Sequence, residues 1–146
     1  MTRGIRNNNP LNIRHDENND WEGKRGVQTD KAFVQFDERV YGYRAAFVLI
    51  GNYILRGMNT IKRIICRWAP PSDGNNTYSY IKHVSDTTGI GVETPLDFEE
   101  EEKMVEIVRS MAQIESGIIE EQAILKRAYG MALISYEERK RKAHEG

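Results

Sequence analysis

The stretch Met111-Ala112-Gln113-Ile114-Glu115-Ser116-Gly117 ends the clearest helix that the sequence predicts. We expect this helix to begin at Asp97 and to run to about Ser116, because its first turn is acidic, as the helix dipole favours, and because Gly117 is a typical C-terminal breaker. Glu115 follows Val108 by seven residues and Met111 by four. This spacing places its carboxylate along the apolar side of the helix.

A carboxyl group held among apolar neighbours is costly to ionise, so its pKa rises toward the range of a general acid at neutral pH. Cleavage of a glycosidic bond requires an acid of this kind. The competing interpretation is that Glu115 lies at a frayed helix end and reaches water. The first interpretation predicts that the Glu115 side chain is buried, and the second predicts that it is exposed.

The segments before and after this helix also have helical periodicity. Helices are predicted from Asp37 to about Gly57, from Asn59 or Thr60 to the stop at Pro70-Pro71, from a cap at Thr77 to Gly89, and from 119 to about 138. Residues 139 to 146 form a charged tail that we expect to fray. The region 37–138 is therefore predicted to be helical.

Residues 1 to 36 have a different composition, rich in Asn, Gly and charge and without helical periodicity. Two strand-like stretches, 11–14 and 33–36, flank a Gly-containing connection, which predicts a small β-hairpin with Trp21 in the connecting part. With one cysteine and 146 residues, the sequence predicts a single domain, 1–146, of mainly α (α+β) class that is stabilised by packing.

Two further features exclude classes of function. The formal net charge of −1 argues against a nucleic-acid partner. A helical nucleic-acid-binding module stays open as an alternative function, because Lys62, Arg63, Arg67 and residues 139–142 could form a basic face. His15, His83 and His144 are dispersed, so no metal site is predicted, and no cofactor motif occurs.

The segment that ends in Glu115-Ser116-Gly117 resembles the helix of lysozyme-like lytic transglycosylases that ends in Glu-Ser-Gly. A second segment, residues 76–84, resembles the Glu-Thr-Arg-x-Tyr-Val-x-x-Val stretch of that family at Thr77, Tyr80 and Val84. Asn76 stands in place of the family's Glu, and Tyr78 in place of its Arg. The resemblance implies that Glu115 is the catalytic acid and that Tyr80 is its neighbour in the cleft; a core tyrosine is the alternative for Tyr80.

A third resemblance covers most of residues 3–84 and starts at Arg3-Gly4-Ile5-Arg6-Asn7-Asn8-Asn9-Pro10-Leu11-Asn12-Ile13-Arg14. This stretch is similar to phage structural or lysis-associated proteins. Its Asn-Asn-Pro-x-Asn-Ile, Trp-x-Gly and Phe elements also resemble the region of bacterial glucosaminidases that follows their catalytic glutamate. Because the glutamate helix comes last here, the resemblance implies a lysozyme-like fold in circularly permuted order.

Together these resemblances imply cleavage of peptidoglycan between N-acetylmuramic acid and N-acetylglucosamine by a lytic transglycosylase. Side chains expected to bind the glycan are Asn9, Asn12, Trp21, Asn76, Tyr78 and Tyr80. Asparagines suit hydroxyl and acetamido groups, and tryptophan faces suit sugar rings. Trp68 either contacts sugar or belongs to the core.

Other functions remain open from the residues. A hydrolytic muramidase or glucosaminidase would use a second carboxylate, for which Asp16, Glu17, Asp20 and Glu22 are equal candidates. A non-enzymatic phage structural or peptidoglycan-binding protein would leave Glu115 exposed and far from Tyr80. We expect no signal peptide and no membrane span, so delivery to the cell wall or periplasm would follow synthesis in the cytoplasm, as a phage virion or lysis component.

Overall fold

The computed structural model describes residues 1–145, and helices dominate it. The helices are α1 (Arg3–Arg6), α2 (Arg39–Leu55), α3 (Ile61–Trp68), α4 (Thr77–Thr88), α5 (Glu101–Ser116) and α6 (Gln122–Glu145), with a 3-10 turn at Pro71–Asp73. The prediction of a mainly α protein is confirmed. None of these helices is long and apolar enough to cross a membrane within residues 1–145.

The central packing in the molecule is that of α2 against α6. Phe47 of α2 meets the ring of Tyr129 of α6 edge to face, with centroids 5.6 Å apart, and Phe98 stacks on Tyr129 with centroids 5.3 Å apart. The Tyr129 hydroxyl donates a hydrogen bond to the Phe98 carbonyl over 2.7 Å, so its burial leaves no polar group unpaired. Buried apolar side chains from Leu11 to Tyr136 form one core.

The predicted hairpin is the main difference between expectation and structure. Residues 1–36 contain no extended strand, only two isolated antiparallel bridges, Arg14 with Phe33 and Lys24 with Phe36. Side-chain hydrogen bonds take the place of the backbone hydrogen bonds of a β-hairpin: the Asn9 side-chain amide donates to the carbonyls of Ile13 and Val34. Because side chains satisfy these backbone groups, the segment folds as a pinned loop instead of a ribbon.

Two helix starts also differ from expectation. Asn76, and not Thr77, caps α4 by accepting a hydrogen bond from the Ser79 amide, while the Thr77 hydroxyl donates to the Ala69 carbonyl. Helix α5 begins at Glu101 instead of Asp97, because the Asp97 amide donates to the Glu100 carboxylate and the Asp97 carboxylate accepts from the Glu99 amide, which forms a turn. The Thr60 cap of α3 is confirmed by its bond from the Arg63 amide.

The last helix begins later and ends later than predicted. Residues 118–121 precede α6 as a connection held by the Arg39–Glu120 ion pair, whose Nε–Oε1 distance is 2.6 Å. The segment predicted as a frayed tail, 139–146, is helical as far as Glu145. Lys140 pairs with Glu99 and Lys142 with Glu138, and these contacts favour continuation of the helix.

The C-terminal end of α5 is fastened to the N-terminal segment. The Ser116 hydroxyl donates to the Pro10 carbonyl over 2.7 Å, and the Thr2 hydroxyl donates to the Ser116 carbonyl over 2.8 Å. Gly4 allows this close approach, because a Cβ atom there would lie 2.0 Å from the Ser116 Oγ. Residues 2 and 116, which are 114 positions apart in the sequence, are therefore in direct contact.

Gly4→Ala should lower the free energy of unfolding by about 1–3 kcal/mol, since the added methyl group overlaps Ser116 and the Asn9 carbonyl. Gly130→Ala is the matched control, because a Cβ atom there meets nothing within 4 Å and Gly130 lies inside α6. That substitution should stabilise the protein by about 0.5–1 kcal/mol through helix propensity. Urea unfolding of wild type and the two variants measures both effects, and a Gly4→Ala protein as stable as wild type would contradict the close approach of Gly4 to Ser116.

Candidate active site

Glu115 lies in the last turn of α5, and two segments distant in sequence hold its carboxylate. The Tyr80 hydroxyl of α4 donates to Oε2 over 3.0 Å. The Asn12 amide donates to Oε1 over 3.3 Å and to the Glu115 carbonyl over 3.1 Å. Each carboxylate oxygen therefore has its own donor, and the side chain is held in one orientation.

The backbone of the N-terminal segment determines where Asn12 lies. Asn8 and Asn12 both adopt left-handed conformations, with φ of 52° and 53°. Asparagine tolerates this region better than most residues, which explains its use at these two positions. The backbone N–H of Asn12 donates to the Asn9 carbonyl over 3.0 Å. This bond closes the turn that directs the Asn12 side chain toward Glu115.

Tyr80 is buried, with 6% of its surface exposed. Burial raises the pKa of its hydroxyl well above the usual value, and the nearby negative charge of Glu115 raises it further. Tyr80 therefore stays protonated and acts as a hydrogen-bond donor over the range of pH in which proteins work.

Burial raises the pKa of the Glu115 carboxyl above its ordinary value, and this desolvation is the largest effect on it. The donors Asn12 and Tyr80, the Trp68 indole and the positive charge of Arg14 all act in the opposite direction. The desolvation prevails, so Glu115 retains a proton to higher pH than an exposed glutamate does. This is the property required of a general acid.

Glu115 opens onto a cleft of about 730 Å³, a volume within the range of small-molecule sites. One wall is the N-terminal loop and the other is formed by α2, α3 and the turn after α3. The residues that line it include Asn12, Arg14, His15, Asp16, Trp21, Phe33, Asn52, Tyr53, Arg56, Arg67, Trp68, Asp73, Asn75 and Glu115.

Two tryptophans contribute to this cleft. Trp21 is 8% exposed, and its indole N–H is buried without a hydrogen-bond partner among residues 1–145. Trp68 is half-buried and meets Tyr53 edge to face, with centroids 6.3 Å apart. Trp68 thus belongs to both the core and the cleft, which its helical spacing with Ile61, Ile64 and Ile65 did not reveal.

Three residues predicted to bind the glycan lie elsewhere. Asn9 is fully buried and bonds only backbone groups of the loop among the described residues. Asn76 is exposed and caps α4. Tyr78 is 75% exposed, because positions two apart on a helix face different directions and Tyr80 occupies the inner face.

The acidic residues that could serve as a second catalytic carboxylate also differ in their position relative to the cleft. Asp16 lines the cleft, whereas Glu22 pairs with Arg44 at 3.2 Å. Asp73, which we did not predict, also lines the cleft from the 3-10 turn. Among residues 1–145, no three acidic, histidine or cysteine side chains come close enough together to hold a metal ion.

Tyr80→Phe should raise the pKa of Glu115 further, because the loss of the hydroxyl removes a donor that stabilises the ionised carboxylate. Titration of the Glu115 carboxyl carbon by NMR measures this, with Glu115→Gln to assign the signal. Tyr78→Phe, which removes an exposed hydroxyl from the same helix, is the control and should leave the titration unchanged. An unchanged or lower pKa in Tyr80→Phe would contradict the assigned hydrogen bond.

Comparison with known proteins finds a relative from a phage. It is 36% identical over 118 residues to protein P5 of Pseudoalteromonas phage PM2, an alignment that covers 79% of this chain and 71% of the relative. No family model matches the sequence. The identity and coverage together mean that the chain belongs to the family of phage PM2 protein P5.

Proposed function

We propose that this protein cleaves the glycan strands of peptidoglycan as a lytic transglycosylase, with Glu115 as its general acid and base. The observation that supports this most strongly is the Glu115 carboxyl itself, which faces a cleft and accepts hydrogen bonds from Tyr80 and Asn12. These two donors come from segments 35 and 103 residues away along the chain, so the fold itself fixes the position of this carboxylate in the cleft.

In the first step the protonated Glu115 carboxyl donates its proton to the oxygen between N-acetylmuramic acid and N-acetylglucosamine. The bond between that oxygen and the muramoyl C1 breaks, the N-acetylglucosamine leaves as an alcohol, and positive charge develops on the muramoyl ring. The raised pKa of Glu115 supports this role, because a proton must be present at the pH of the reaction.

In the second step the Glu115 carboxylate takes the proton from the muramoyl 6-hydroxyl, whose oxygen bonds to C1. The product is an anhydromuramoyl end, and Glu115 regains the proton that it gave. If water attacks the muramoyl C1 instead, the product has a reducing muramoyl end and the protein is a muramidase. In a glucosaminidase, Glu115 would protonate the oxygen on the C1 of N-acetylglucosamine, and water would attack that carbon. Asp16, which lines the cleft, is then the candidate to activate that water.

We also propose that the fold is a lysozyme-like domain in permuted order. The contact between the N-terminal segment and the end of α5 supports this, because residues 2 and 116 are joined by a hydrogen bond. A chain whose distant segments are adjacent at the surface can be reordered without loss of its core. The phage relative supports the further proposal that the protein reaches the cell wall as a virion or lysis component.

The test is digestion of purified peptidoglycan with product analysis by mass spectrometry. Wild type should release anhydromuramoyl products, and Glu115→Gln should lower the rate by about 100-fold or more, since general acid catalysis contributes roughly that factor. Glu102→Gln is the matched control, because it changes an exposed glutamate in the first turn of the same helix.

Each alternative has its own outcome in this experiment. Reducing-end products from wild type would assign a hydrolase. An absence of products from wild type would contradict the proposed reaction and favour a structural or peptidoglycan-binding protein. Equal rates for wild type and Glu115→Gln would contradict the role of Glu115.

A further inference from the structure

Two arginines line the cleft on the wall formed by α2 and α3. Arg56 follows the last residue of α2, and Arg67 lies in the last turn of α3. Both side chains are exposed, and neither has a carboxylate within ion-pair distance in the part of the chain that the structure describes. Two guanidinium groups in one cleft without an acidic partner are suited to bind an anion.

Tyr53 joins the two arginines into one cluster. The Arg67 guanidinium lies over the Tyr53 ring, 5.8 Å from its centroid. The positive charges of Arg67 and Arg56 both lower the pKa of the Tyr53 hydroxyl, against the larger effect of burial, so both charges lie near this hydroxyl. Stacking on an aromatic ring orients a guanidinium and leaves its N–H donors free for a ligand.

The cluster and the reacting carboxylate line one cleft, and different positive charges act on each of them. Among the groups that act on Glu115, the positive charge is that of Arg14, while Arg56 and Arg67 act on Tyr53. Asp16 and Asp73, the other carboxylates of the cleft, form no ion pair with either arginine. An anion bound at Arg56 and Arg67 would therefore lie in the substrate cleft, beside Tyr53.

We propose that Arg56 and Arg67 bind carboxylates of the peptide stem carried by the glycan strand, so that peptide-bearing strands are the preferred substrate. This inference rests on the proposed function. Muramoyl residues carry their acidic peptides on the lactyl group, whereas a strand without peptides presents only its lactyl carboxylates. Arginine is suited to carboxylates because its planar fork offers paired donors.

The test compares two substrates prepared from the same sacculi: soluble strands that retain their stem peptides and strands from which an amidase has removed them. Wild type should show a kcat/KM about tenfold higher on peptide-bearing strands, a factor typical of one or two partly exposed charge-assisted contacts. In Arg56→Gln/Arg67→Gln this ratio should fall to about one. The preference should also weaken as the salt concentration rises.

The control is Arg127→Gln/Arg139→Gln, which removes the same charge from exposed positions of α6 outside the cleft and should retain the ratio. Arg56→Lys/Arg67→Lys should retain part of it, because the charge remains while the planar fork is lost. A wild-type ratio near one, or a ratio unchanged in the Gln double variant, would overturn the inference while leaving the cleavage reaction intact.

Binding measurements separate this inference from the reaction. By calorimetry, the Glu115→Gln protein should bind a disaccharide with a tetrapeptide about tenfold more tightly than the disaccharide alone, and the two arginine substitutions should abolish the difference. If wild type cleaves nothing but this difference in binding exists, the proposed reaction fails and the peptide site stands. Equal binding of the two ligands would overturn the peptide site.

Discussion

The docking of the last turn of α5 on the N-terminal segment is the contact from which the site is built. Ser116 bonds the Pro10 carbonyl, Thr2 bonds Ser116, and Asn12 bonds Glu115. Gly4 makes the approach possible because it has no side chain at the contact. The same hydrogen bonds that join the two segments thus orient the carboxylate that faces the cleft.

This arrangement costs stability in two ways. Asn8 and Asn12 occupy left-handed backbone conformations, and Glu115 is held where ionisation is unfavourable. Because the folded pKa of Glu115 is raised, its contribution to stability is fully present below the unfolded pKa and is lost as the pH rises through the folded pKa. Strain and desolvation concentrated around one carboxyl group are typical of a functional site.

Periodicity was sufficient to predict α2 and α3, and the position of Glu115 four residues after Met111 predicted its inward orientation. Residue types in the loop were less informative, because an asparagine can bind a ligand, cap a helix or replace a β-ladder. Asn12, Asn76 and Asn9 perform one role each: Asn12 holds Glu115, Asn76 caps α4 and Asn9 pins the loop. Arg67 was predicted only as part of a basic face, and Arg56 was not predicted, because the packing of α2 and α3 is what brings both to one cleft.

The most direct test of the central claim is a structure of the Glu115→Gln protein with a peptidoglycan tetrasaccharide bound. We predict that the glycan occupies the cleft between the N-terminal loop and α3, with a glycosidic oxygen within about 3 Å of the side chain at position 115. A glycan bound elsewhere on the surface, or in the cleft with every glycosidic oxygen far from position 115, would contradict the assignment of Glu115 as the acid.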